Sequence, residues 1–328
     1  PRNWRHMVKM FPRMLNWCLV SLAALILAQG STSAQAPAQM PPPVPQPEFP
    51  PIQQVTQGYS SSPRGFLALH VDMKKHRLLG EIPGNVLRRP FLLATSITGG
   101  SYTGWQWDDR MVYLERLDRK LVLVEPEIRY RAQGSTLAEV VRRTYRDRVI
   151  TSMPIIAEGQ GGSCLIDFTD LFAARSYIFV GSLGRSIDPS LTKITKAKVF
   201  QQNVEIGFDL AGAGGSLASS GSNTSIAVHY SLRDLPTTGY APRPADDRIG
   251  YFVTALMDFT RDPREETRFV RFANRWQLQK LDPSLEISEP KDPIVFFIEK
   301  TVPVRYRRYV QEGIEEWNKS FEKLGFYR

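Results

Sequence analysis

Between residues 66 and 258 the chain keeps returning to short runs of β-branched, aromatic and aliphatic residues, each bounded by polar or glycine-containing turns. That spacing constrains the fold more than any other feature, because such runs pack as half-buried strands. Segments 66–71 and 77–82 are predicted strands across a polar turn holding Lys74 and Lys75. With the apolar run 91–97 they predict a small antiparallel meander over 64–98. Residues 111–116 and 120–125 predict a hairpin turning at Leu117, Asp118 and Arg119, after a loop from Gly99 to Asp109 that holds Trp105 and Trp107. Further strands are predicted at 153–157, 163–167, 198–210, 223–235 and 249–258. The Gly, Ala and Ser segment 211–222 between two long strands predicts a flexible hairpin tip. One helix interrupts the pattern. It is expected to start at Thr136, which stands three residues before Glu139 as in a capping box. Leu137, Val140, Val141 and Val149 are its expected inward face, and Arg142, Arg143, Arg146 and Arg148 a solvated outer face. Residues 99–285 thus form a β-rich region, and the fold class is α+β with mainly antiparallel strands.

The first sixty residues have a different character. Arg2, Arg5, Lys9 and Arg13 precede an apolar run at 14–28, which leads into the small residues Ser31, Thr32, Ser33 and Ala34. This is the layout of a signal peptide over 1–34, cleaved after Ala34. The apolar run is shorter than the roughly 20 residues that span a bilayer, so no stable membrane span is expected after cleavage. Residues 35–63 are rich in Pro, Ala and Gln around Pro41-Pro42-Pro43 and read as an extended linker, with folded sequence beginning near Arg64. Cys18 falls in the signal segment, so Cys164 is the one cysteine expected after processing and no intrachain disulfide can form. The chain does not begin with methionine, and Met7, Met10 and Met14 are candidate starts.

A length of 328 residues with 42% hydrophobic content supports two ordinary domains. The formal charge of +9 invites a nucleic-acid partner. The basic residues are scattered among acids without a dense tract, and nucleic-acid binding is not expected.

After residue 286 the period changes. Residues 294–299 predict a strand and 303–324 a helix, along which Val310, Ile314, Trp317, Phe321 and Leu324 form one apolar stripe. Burying five such side chains is worth on the order of 10 kcal/mol at roughly 1.5–3 kcal/mol each, more than one strand and one helix can supply alone. Thr301 is the expected cap, Pro303 suits the first turn and Gly325 the far end, whereas Arg305, Arg307 and Arg308 oppose the helix dipole. Residues 286–328 read as the start of a domain that is cut off.

No catalytic set emerges from the residue types. Gly212, Gly214 and Gly215 could approach an anion, but no GK[ST] follows and a strand comes next. Cys164 with His229 could form a nucleophile and base, yet Cys164 opens the apolar run Cys164-Leu165-Ile166 and reads as a buried hydrophobe. His70, His76 and His229 show no paired metal-ligand spacing and read as surface histidines. Asp108-Asp109 and Asp246-Asp247 are adjacent pairs, which in strands point to opposite faces, so turn or salt-bridge roles are expected. Catalytic, cofactor-binding and metal residues are accordingly assigned to none.

One ordered series of segments carries a resemblance. It comprises PRPADDRIGYF at 242–252, NRW at 274–276, SEP at 288–290, PIVFFI at 293–298, TVP at 301–303 and GIEEWNKSFEKLGF at 313–326. Upstream stand Gly65-Phe66, Glu81-Ile82-Pro83, FLLAT at 91–95 and DFTDLF at 167–172. From about Arg64 onward the chain resembles a family of exported bacterial zinc-dependent metalloproteases with a metzincin-like catalytic domain and uncharacterised β-rich N-terminal domains. The resemblance implies that 286–328 supplies the first strand and helix of a truncated zincin-type α/β domain. It implies zinc and a peptide or protein substrate in the full-length protein, and a periplasmic or secreted location. The HExxH helix that would hold zinc is absent, so no metal ligand transfers and the chain as written is expected to be inactive. The alternative is a complete, non-enzymatic, exported β-rich binding or inhibitory module. Oligomeric state is not readable from the sequence.

Overall fold

The computed structural model describes residues 48–100, 102–184, 187–212, 224–262, 264 and 267–327. The chain divides into two units, Pro1–Gln46 and Pro47–Arg328. The expected signal peptide and residues 35–47 of the expected linker lie outside the described residues, as does most of the expected hairpin tip.

Among the described residues of the second unit sixteen strands follow one another. The first eight are β1 (Ser60–Ser61), β2 (Ala68–Asp72), β3 (Arg77–Ile82), β4 (Phe91–Gly99), β5 (Gln106–Leu117), β6 (Lys120–Glu125), β7 (Tyr130–Arg131) and β8 (Arg148–Pro154). Then come β9 (Ala157–Glu158), β10 (Cys164–Asp167), β11 (Lys193–Val199), β12 (Asn203–Gly212), β13 (Thr224–Asp234), β14 (Arg243–Pro244), β15 (Val253–Asp258) and β16 (Phe269–Ala273). The α-helices are α1 (Ile52–Val55), α2 (Ser135–Thr144), α3 (Tyr177–Val180), α4 (Val304–Glu315) and α5 (Asn318–Glu322).

The strands form a five-stranded sheet in the order β1-β2-β3-β10-β9, a seven-stranded sheet β11-β12-β13-β4-β5-β6-β8 and a four-stranded sheet β14-β16-β15-β7. All pairings between these strands are antiparallel except β7 with β15. Alternation explains the layers. Along β12, Val204, Ile206, Phe208 and Leu210 are buried, and along β13 so are Ile226, Val228, Tyr230 and Leu232. These side chains join Leu69, Leu78 and Ile82 of the five-stranded sheet in one hydrophobic core. The segment after β10 closes it: Phe168 and Phe172 meet edge to face with ring centroids 5.1 Å apart.

Several expectations need correction. Strand β4 does not complete a meander with β2 and β3, because its register pairs it with β13 and β5 instead. The single strand expected at 198–210 is two strands, since the chain reverses at 200–202 and the Phe200 amide donates to the Asn203 carbonyl at 2.8 Å. Folded structure begins before Arg64. Phe49 and Ile52, inside the expected linker, are buried, and the Arg119 guanidinium sits 4.9 Å over the Phe49 ring.

Helix α2 starts one residue before Thr136, after Gly134 at φ 82, with no side-chain cap bond. Of its expected inward face Val141 alone is buried. Leu137 and Val140 are exposed, and Val149 lies on β8 because the helix ends at Tyr145, whose ring stacks on Tyr130 at 3.8 Å.

In the last forty residues no strand forms at 294–299, where one was expected. The expected single helix is two, α4 and α5, broken at Glu316 and Trp317. Pro303, not Thr301, precedes the first turn, and the Thr301 amide donates instead to Glu299 Oε2 at 2.8 Å. Gly325 closes α5 as expected. It adopts φ +87, its amide donates to the Glu322 carbonyl at 2.9 Å, and the Phe326 amide donates to the Phe321 carbonyl at 3.0 Å.

Candidate functional site

Residues 293–298 and the helices α4 and α5 line an open cleft of about 400 Å³. Its walls are mainly apolar: Ile294, Phe296 and Ile298 on one side, Ile314 and Phe321 on the other, and Phe326 at the end. Gln311, Glu315 and Asn318 add polar groups along the helix side. Ser288 fixes the base. Its amide donates to the Gly325 carbonyl at 3.1 Å, and its carbonyl accepts from the Tyr327 amide at 3.2 Å. The helical stripe is only partly covered, for Ile314 and Phe321 are half-buried while Trp317 and Leu324 are each 68% exposed. Phe297, which does not line the cleft, is 92% exposed. An apolar cleft with so much of its rim in water is shaped to receive another apolar surface.

The residues weighed for chemistry are dispersed. Cys164 is fully buried in the core, and burial pushes its thiol above the ordinary cysteine value. It pairs in register with Ile82 on β3, whereas His229 lies on β13 in the other large sheet, so the two form no nucleophile and base. Gly212 ends β12 opposite Thr224, and Gly214 and Gly215 lie outside the described residues.

Of the three histidines weighed, His70 is buried, whereas His76 and His229 are half-buried. His70 is 6% exposed and bridges Ser61 Oγ, 2.7 Å from its Nδ1, and Glu81 Oε2, 3.2 Å from its Nε2. These contacts satisfy both ring nitrogens of a buried imidazole. His76 accepts from the Ile194 amide at 3.4 Å. His229 bonds through Nε2 to Glu205. Asp108 pairs with Arg110 at 2.5 Å, and Asp246 bonds Arg248 at 2.8 Å, matching the expected salt-bridge roles. Among the described residues no group of three or more His, Cys, Asp or Glu could hold a metal ion. The zinc implied by the resemblance therefore finds no fitting ligand set in them.

A polar cluster on the outer face of the seven-stranded sheet was not foreseen. The Glu205 carboxylate accepts from Ser231 Oγ at 2.7 Å, from Asn203 Nδ2 at 2.6 Å and from His229. Burial opposes its charge, but these hydrogen bonds outweigh the desolvation and hold the carboxyl below its usual range. The signal available in sequence was alternation: Asn203 and Glu205 on β12, and His229 and Ser231 on β13, are the residues between core positions.

Family comparison places the chain by this β-rich part. The chain belongs to the family described as a domain of unknown function (DUF5117), whose pattern matches residues 104–281. No curated protein and no solved structure matches it. No helix among the described residues is long and apolar enough to cross a membrane.

Proposed function

We propose that this chain is the N-terminal portion of an exported zinc-dependent metallopeptidase, in which 286–328 opens the catalytic domain and the β-rich part is an accessory region. The supporting observation is the open apolar cleft between residues 293–298 and α4–α5, which lies inside the segments that carry the resemblance. In this reading the catalytic domain continues beyond residue 328, covers Trp317, Leu324 and Phe297, and brings the zinc ligands and the glutamate base. Zinc would there activate water for attack on a peptide carbonyl. The basic start followed by an apolar run and small residues supports export.

The test is to express the coding frame continued past Arg328, measure bound zinc by atomic absorption, and assay cleavage of a casein substrate with and without chelator. Zinc near one equivalent with chelator-sensitive cleavage is expected. A continued frame without an HExxH helix, or a purified product without zinc and without cleavage, overturns the reading.

A further inference from the structure

Ser61, His70 and Glu81 form one hydrogen-bonded line across the first three strands of the five-stranded sheet. Ser61 on β1 and His70 on β2 are directly opposed partners, and Glu81 on β3 is opposite Ala68, two residues before His70 on the same face. The Ser62 amide donates to the Leu69 carbonyl at 2.8 Å, so the ladder bonds fall beside the Ser61 and His70 pair and not on it. Side chains of such a pair stand close, and Ser61 Oγ lies 2.7 Å from His70 Nδ1. The same geometry turns the Ser61 amide N–H away from β2, toward the open edge of the sheet, because β1 is its outermost strand.

The direction of each hydrogen bond follows from the carboxylate. Glu81 can only accept, so His70 Nε2, 3.2 Å from Glu81 Oε2, carries the ring proton and Nδ1 keeps its lone pair. Ser61 therefore donates its hydroxyl proton to Nδ1. Burial separates the roles, for His70 and Glu81 are enclosed while Ser61 is exposed. Tyr59, two residues before Ser61, packs with Val55 against the small cluster of Ile52, Leu79, Ala157 and Leu165, which anchors the segment that carries the serine. A hydroxyl held to a neutral imidazole, whose far nitrogen is fixed on a carboxylate, is the arrangement that activates a serine.

We propose that Ser61 is the nucleophile of a site that hydrolyses carboxylic esters, with His70 as its base and Glu81 as the positioning residue. Ser61 Oγ bonds to the ester carbonyl carbon as its proton passes to His70 Nδ1. The imidazolium, held through Nε2 by Glu81, returns that proton to the alcohol oxygen as the acyl–oxygen bond breaks. Water then gives a proton to the same nitrogen and attacks the acylated serine, and the carboxylic acid leaves with the Ser61 hydroxyl restored. The carbonyl oxygen gains negative charge beside the Ser61 amide N–H at the sheet edge. A single main-chain donor suits esters, whose alcohol leaves more readily than the amine of a peptide. The proposal stands apart from the peptidase reading, because it uses no residue of 286–328 and no zinc.

The full 328-residue chain is treated with a fluorophosphonate probe, which marks serine hydroxyls activated by a base, and the adduct is located by peptide mass spectrometry. Chelator is present throughout, so a zinc site contributes nothing to the result. Ser61 should be labelled while its neighbours Ser60 and Ser62 are not, and the labelling should vanish in urea. Hydrolysis of p-nitrophenyl acetate should fall to the buffer rate in Ser61→Ala. Glu81→Gln, which no longer stabilises an imidazolium, should slow labelling at least about tenfold. The native chain alone decides the matter if a variant does not fold: an adduct absent from Ser61, or spread equally over Ser60, Ser61 and Ser62, overturns the proposal. An unchanged labelling rate in folded Glu81→Gln, or unchanged hydrolysis in folded Ser61→Ala, overturns it too.

Discussion

The Tyr230 hydroxyl donates to the main-chain carbonyl of Phe172 at 2.9 Å, while the two rings lie 4.7 Å apart inside the core. One side chain thereby ties the centre of the seven-stranded sheet to the short helical segment after β10. Tyr230→Phe keeps the ring packing and strands a buried carbonyl, at a cost of about 1–3 kcal/mol. Urea unfolding should show a lower midpoint at unchanged slope. Burial also raises the Tyr230 hydroxyl pKa above its ordinary 10.0, so the unfolded chain releases this proton first. Its contribution is complete below pH 10 and declines as pH rises above it, a decline that Tyr230→Phe should remove.

Glu205 predicts the opposite pH response. Its folded carboxyl lies below the ordinary 4.5, so its contribution is present above that value and is lost as pH falls through the folded pKa. Glu205→Gln should destabilise at pH 7 and make little difference well below pH 4.5, as read from urea midpoints at both. An equal deficit at both values would show that the three hydrogen bonds do not favour the charged form.

Gly80 lies under an aromatic ring. A Cβ there would stand 2.4 Å from Phe168 Cζ, with two further ring atoms closer than 3.0 Å. Gly80→Ala should cost about 1–3 kcal/mol through overpacking. Phe168→Leu in the same chain should recover part of that loss, a coupling measurable in a double-mutant cycle.

The rim of the C-terminal cleft should behave as uncovered surface. Phe297→Ser and Trp317→Ser remove side chains that are 92% and 68% exposed, so each should move stability by less than about 0.5 kcal/mol. Binding of an apolar fluorescent dye should fall together with any self-association measured by light scattering. A large loss of stability in either variant would mean that the rim is covered in solution.

The sequence was most readable where local chemistry and burial agree. The turn at Asp118, with φ 52, and the strands around it follow from residue types flanking a tight reversal. Gly325 was legible for the same reason, since a left-handed helix end favours glycine. The partner of β4 was not legible, because its alternating apolar residues suit either large sheet and only long-range register decides between them. Phe49 and Ile52 were hidden by a proline-rich neighbourhood, although two large apolar residues suffice to dock a short segment. The Glu205 cluster needed the pairing of β12 with β13, which places His229 and Ser231 beside it across 24 and 26 residues of chain.

The parallel contact of Tyr130–Arg131 with β15 involves just two residues on its shorter side, strengthened where Arg131 Nε donates to Asp258 Oδ2 at 2.9 Å. Around that short ladder the Met257 amide donates to the Arg129 carbonyl at 2.7 Å, the Gln133 amide donates to Thr260 Oγ1 at 2.7 Å, and the Tyr145 ring stacks on Phe259 at 5.6 Å, so the four-stranded sheet is buckled to the segment leading into α2 by a clasp of several small contacts. Asp258→Ala would take the Arg131 ion pair out of that clasp and leave its main-chain bonds and stacked rings in place, so the hinge between the small sheet and α2 is stitched redundantly within the residues that define the family.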